Sequence, residues 1–111
     1  MSVRVDKFMW CVRLAKTRSV ATELIKKGKV KINQDTIKPS REVKVGDVIS
    51  LTKHNAEFSF KILSLLEKRV GARLVEEFIL DITPAGEIEK FKIYQESQKD
   101  RRDLEEFLDW E

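Results

Sequence analysis

One cysteine, two prolines, four glycines and one histidine among 111 residues put several kinds of protein out of reach. With Cys11 alone, no intrachain disulfide can form and no cysteine pair can hold zinc, so the core must come from packing. The redox setting expected for such a chain is a reducing cytoplasm. So little glycine and proline argues against a disordered or linker-like protein. No apolar run reaches signal-peptide or membrane-spanning length, and no membrane partner is expected. His54 stands in the polar turn Lys53-His54-Asn55 with no nucleophile or acid beside it in sequence, and is expected to be an exposed loop residue rather than a general base.

What is abundant is charge. Hydrophobic residues make up 41% of the chain and Asp, Glu, Lys and Arg 37%, at a net charge of +3. The charge is unevenly spread: residues 1 to 54 carry 13 Lys and Arg against 5 Asp and Glu, and the remainder 9 against 14. A basic half joined to an acidic one points to a polyanionic partner met by one face, with the acidic half limiting indiscriminate adhesion. The length suits one compact domain with an appendage.

Along the chain, Asp6 can cap a helix beginning at Lys7, where Phe8, Met9, Val12 and Ala15 recur with helical spacing and Trp10, Cys11 and Leu14 add to the apolar side. Arg13 and Lys16, three apart, would share a surface turn of it. Thr17-Arg18 interrupts the pattern. Ser19 then suits the N-cap of a second helix running to about Lys27, with Gly28 just past its end. Ala21, Leu24, Ile25 and Gly28 follow one face of that helix, and Arg18, Thr22 and Lys26 the other. After Gly28 the period becomes two, with Val30 and Ile32 inward and Lys31 and Asn33 outward.

Short strands and turns should follow, including Val48-Ile49-Ser50-Leu51. The clearest strand spans Glu57 to Leu65, with Phe58, Phe60 and Ile62 on one side and Ser59 and Lys61 on the other. Leu74 to Ile82 fits either a short helix or an extended segment. Thr83 and Pro84 can open another helix through Ile88, Phe91 and Tyr94, Thr as cap and Pro in the first helical position. From Lys99 on, Leu104, Phe107 and Leu108 share a face among Asp103, Glu105, Glu106 and Asp109, as in an acidic amphipathic helix that docks or binds a partner.

The chemistry concentrates in Arg13, Lys16, Arg18, Lys26, Lys27, Lys29 and Lys31. Lys16 and Arg18 flank the start of the second helix, where unpaired amides and the helix dipole favour an anion. Ser19 and Thr22 add hydroxyls. Lys26, Lys27 and Lys29 also oppose the negative end of the same dipole, which is ordinary helix stabilisation. The exposed stripe of that helix has no Asn or Gln for reading adenine edges in a DNA major groove. Arg, Lys, Thr and Asn33 at a corner and on a strand suit shape and backbone recognition of folded RNA instead. Cys11 reads as core. Trp10 reads as a packing residue, with base stacking the alternative.

The run Arg4-Val5-Asp6-Lys7-Phe8-Met9-Trp10, then Arg13, Lys16-Thr17-Arg18-Ser19, Ala21, Gly28 and Val30-Lys31-Ile32-Asn33, resembles the S4-type RNA-binding domain over about residues 3 to 65. Asp-Lys-x-x-Trp followed by Lys-Thr-Arg-Ser more closely resembles the fifteen-kilodalton heat-shock protein family of ribosome-associated bacterial factors. The resemblance implies binding of ribosomal RNA on the large subunit, in recycling or rescue of subunits that still hold a nascent chain on transfer RNA. It also implies that Arg13, Lys16, Thr17, Arg18, Ser19 and Lys29 face RNA. Two departures stand out: Asn33-Gln34-Asp35 replaces the Asn-Gly of many relatives at a hairpin, and the chain ends acidic where well-known relatives end basic.

The expected fold is therefore α+β: two short helices at a corner on a small, mostly antiparallel sheet, an S4-like alpha-L motif, with a helical C-terminal extension. Residues 1–66 would form the RNA-binding domain and 67–111 the acidic extension. The function expected is non-catalytic binding of ribosomal RNA in the cytoplasm, with no cofactor and no metal. The alternatives are an RNA-binding subunit of a modifying enzyme, for which roughly 45 residues beyond the RNA module leave too little chain, and an adaptor acting through the acidic terminal helix.

Overall fold

The computed structural model describes residues 2–98. The terminal amphipathic segment expected from Lys99 lies outside the described residues.

Helix α1 (Val5–Cys11) is only seven residues long, too short to persist in water by itself. It is held by burial: Val5, Phe8, Met9 and Cys11 are all fully enclosed. Strand β1 (Val3–Arg4) leads into it and pairs antiparallel with β4 (Glu42–Val43). Helix α2 is Arg18–Lys26, packing Ala21 and Ile25 inward. It gives way to β2 (Val30–Ile32), β3 (Asp35–Thr36), β5 (Val48–Lys53), β6 (Ala56–Ile62) and β7 (Ile79–Asp81). These five strands form one antiparallel sheet in the order β3-β2-β5-β6-β7. Val30, Ile32, Ile49, Leu51, Phe58, Phe60 and Ile62 supply the apolar core at alternate positions, while Ser50 and Ser59, paired across β5 and β6 between them, are buried as well and satisfy each other at 3.3 Å.

Leu74 to Ile82, open between helix and strand in the sequence, takes part in both: a 3₁₀ turn over Ala72–Glu77, then β7 on the sheet edge. Helix α3 (Ala85–Gln98) follows. Thr83 does not serve as its cap. The Thr83 hydroxyl accepts from the Ser59 amide (3.0 Å) and donates to the Ser59 carbonyl (3.4 Å), extending the sheet by one rung. The Pro84 carbonyl instead accepts from Glu87 and Ile88 at the helix start. Phe91 anchors α3, 6% exposed and edge-on to Phe58 at 5.3 Å. Glu87 adds a bond from the Glu57 amide to its carboxylate (3.2 Å).

Both two-residue hairpin turns are left-handed without glycine. Asn33 and Gln34 have φ of 51° and 70°, His54 and Asn55 of 50° and 68°, the dihedrals of a type I′ turn. At the first, the missing glycine is offset by Asn33, whose Oδ1 accepts from the Val48 amide (2.9 Å) and whose Nδ2 donates to Asp47 Oδ1 (3.1 Å). Asn33 is thus a turn residue, not an outward strand position.

Candidate nucleic-acid interface

The corner between α1 and α2 is built from its backbone. After Cys11 the helix closes through Arg13 N–H to Trp10 O (3.2 Å) and Leu14 N–H to Met9 O (2.8 Å), with Arg13 at φ 63°. This paired pattern around a left-handed residue is the Schellman stop. Arg13 and Lys16 therefore leave the helix in a turn instead of sharing a helical face. Arg13 is half-buried, and its guanidinium reaches the Val70 carbonyl at 3.5 Å.

The cap of α2 falls on Thr17, two residues before Ser19. Thr17 is extended, and its Oγ1 accepts from the Val20 amide at 3.1 Å while its carbonyl accepts from Ala21. Either hydroxyl suits a cap; the tight exit from α1 already brings Thr17 to the position where the helix can begin. Ser19 lies exposed in the first turn, beside the outward amides that a helix start leaves unpaired.

Asp6 does not cap α1, which begins one residue earlier. Its side chain is 4% exposed and pairs with Arg4 (3.0 Å) and Arg18 (3.4 Å). It also accepts from the Lys7 amide (2.7 Å) and the Thr22 hydroxyl (3.4 Å). The carboxylate is thus a buried latch between the two helices. It fixes the orientation of Arg18 while leaving about half of that side chain exposed, at 47%. Thr22 divides its hydroxyl between Asp6 and the Arg18 carbonyl (3.1 Å).

Gly28, at φ 75°, ends α2 by the same stop, with Gly28 N–H to Ile25 O and Lys29 N–H to Leu24 O, both 3.0 Å. Lys29 is then tied to the sheet, its carbonyl accepting from the Thr52 amide at 2.8 Å. The two helix exits deliver Lys16 and Lys29 to one cleft of about 380 Å³, also lined by Val20, Leu24, Lys53 and His54. Lys26 and Lys27 are exposed at the end of α2. Lys31 is half-buried on β2, opposite Ser50 and Thr36. Arg13, Thr17, Arg18, Ser19, Thr22, Lys26, Lys27, Lys31 and Asn33 do not line the cleft.

Sequence reasoning missed Lys53. The signal lies in strand pairing: with Val30 opposite Leu51, Lys53 falls beside the end of α2, and no local motif says so. Arg69, in the loop after β6, comes to Trp10, its guanidinium 5.9 Å from the ring, as the Val70 amide bonds the Cys11 carbonyl at 3.1 Å. His54 is not an exposed loop residue; it is half-buried and stacked on Tyr94, centroids 4.4 Å apart at 12°. Cys11 is core as expected, and burial pushes its thiol pKa up. Among the described residues no cluster of three or more His, Cys, Asp or Glu could hold a metal ion.

The S4 domain family model matches residues 3–49, from β1 into β5. A trimeric structure of heat shock protein 15 from Vibrio cholerae superposes with a TM-score of 0.74 at 30% identity, covering 89% of this chain and 98% of that one. The chain belongs to the S4-domain family. Its relatives in that family include the heat shock protein 15 homolog of Haemophilus influenzae, 43% identical over 70 residues, which is 63% of this chain and 53% of that protein. The RQC P-site tRNA stabilizing factor of Helicobacter pylori strain J99 is 51% identical over 49 residues, 44% of this chain and 58% of that protein. The matched stretches thus span little more than half the length of these curated relatives. The expected α+β architecture, two helices at a corner on a mostly antiparallel sheet, is the one observed.

Proposed function

We propose that this protein is a non-catalytic, cytoplasmic RNA-binding factor that engages ribosomal RNA on the large ribosomal subunit and acts in recycling or rescue of stalled nascent-chain complexes. The observation that carries the reading is the convergence of Lys16 and Lys29 on one cleft beside the start of α2, with Arg18 oriented by Asp6, in an S4 fold whose relatives include an RQC P-site tRNA stabilizing factor. Phosphates meet Lys16 and Lys29 at the cleft, and Arg18, held by Asp6 outside the cleft lining, adds a third cation of defined direction near the start of α2, an arrangement that suits recognition of backbone shape. Arg13, Thr17, Ser19, Thr22, Lys26, Lys27, Lys31 and Asn33 lie outside the lining of that cleft; Thr17 and Asn33 shape the backbone of the helix start and the hairpin, and the lysines extend the positive field. By the same reading, the partners are the large subunit and, through it, transfer RNA bearing a nascent chain.

The test is crosslinking to intact ribosomes and dissociated subunits, together with titration of large-subunit RNA against salt. Crosslinks should map to large-subunit RNA and be stronger on dissociated subunits. Neutralising about six phosphates gives a log-log salt slope of about −4 to −5. A flat salt response, or crosslinks confined to the small subunit, overturns the reading.

A further inference from the structure

The cleft that receives Lys16 and Lys29 has an apolar floor. Leu14, Val20, Leu24 and Leu51 line it, and Val20 is 41% exposed. Phosphate binding explains the lysines on the rim but not aliphatic side chains held open between them, since a phosphodiester offers nothing apolar to cover. At about 380 Å³ the depression falls in the usual range for small ligands, roughly 300–1,000 Å³. His54 forms part of its wall, held by Tyr94 stacked on it from α3.

An apolar floor ringed by cations matches one component of RNA: a nucleobase that has left its helix, with its own phosphates on either side. Paired bases cannot present their faces, whereas unpaired ones in loops, bulges and ends can be seated on apolar and aromatic side chains. We propose that this cleft seats a single unpaired nucleobase of the bound RNA, with Lys16 and Lys29 holding the flanking phosphates. The inference rests on the RNA-binding reading above and narrows its ligand to RNA bearing an unpaired nucleotide. It also gives α3 a part in binding: Tyr94 fixes the His54 ring, and with it the shape of the wall.

The experiment compares two labelled single-stranded octamers of equal charge, oligoadenylate and an abasic ribose-phosphate chain, binding to the full chain at low salt. The base-bearing octamer should bind at least about fivefold tighter, the low end for one seated base. Filling the cleft by Val20→Trp, at an exposed position, should bring the octamer down to the abasic affinity while leaving abasic binding unchanged. Thr52→Phe, filling it from β5, is the second variant should the first misfold, as judged by circular dichroism. Equal binding of the two octamers by the unmodified protein overturns the base seat and leaves the RNA reading standing, the cleft then suiting an acidic protein segment. Binding of neither octamer, with no binding of ribosomal RNA, overturns both.

Discussion

The two helix exits make the same turn at different cost. α1 stops at Arg13 (φ 63°) and α2 at Gly28 (φ 75°), each with the same pair of closing hydrogen bonds. Glycine enters this conformation freely, while any other residue is strained by about 1–2 kcal/mol. At Gly28 a Cβ would meet nothing within 4 Å, so the dihedral and not crowding keeps glycine there. At Arg13 the strain is tolerated, and the side chain it retains reaches Val70 across 57 residues of sequence.

The comparison can be broken in descending order of effect. Gly28→Val should destabilise by about 2 kcal/mol, because a β-branched residue is forced to a left-handed dihedral; an unchanged urea midpoint would remove the argument. Thr17→Ala should cost about 1 kcal/mol through the lost cap, and Ser19→Ala less than about 0.5. Equal losses would return the cap to Ser19.

Arg13→Gly should stabilise by roughly 0.5–1 kcal/mol, the relieved strain less glycine's added unfolded-state entropy, while weakening RNA binding and flattening its salt slope by about one. Stabilisation without loss of binding would assign Arg13 no part in the interface. Lys16→Ala and Lys29→Ala should each flatten the salt slope by about one with stability changed by less than about 0.5 kcal/mol, since both side chains are exposed.

The smallest effect is on pH. The Glu87 carboxyl is held below the usual carboxylate range, first by its bond with Lys90 (2.8 Å) and then by the Glu57 amide. Its support of α3 is therefore complete above the ordinary glutamate range and is lost as pH falls through the depressed pKa. The Glu57 amide resonance, followed by NMR, should titrate with a midpoint below that of an ordinary glutamate; a midpoint at the ordinary value would exclude the contact.

Elements with strong periodicity were legible. The apolar faces of α1 and α2, Gly28 past the second helix, and the alternation in β6 all follow from side-chain spacing, and each is found in the fold. Boundaries set by one hydrogen bond were not. Thr17 and Ser19 are equally good caps by type, and Asp6 near a helix start is indistinguishable from a cap until Arg4, Arg18 and Thr22 are seen around it. Arg13 gave no sign of its left-handed dihedral, because arginine has no preference for it, whereas His54-Asn55 could be read as a turn from residue type.

The residues alone determined that a basic, amphipathic helix pair would precede a half-buried sheet, since charge and period are local properties and tertiary packing only uses them. Which cations meet was decided by the fold. Lys16 and Lys53 are separated by most of the S4 segment and come to one cleft because β2 pairs with β5 and because two helix stops turn the chain at fixed angles. Pairing register and left-handed turns are set by packing energy summed over many residues, so no short stretch of sequence carries them.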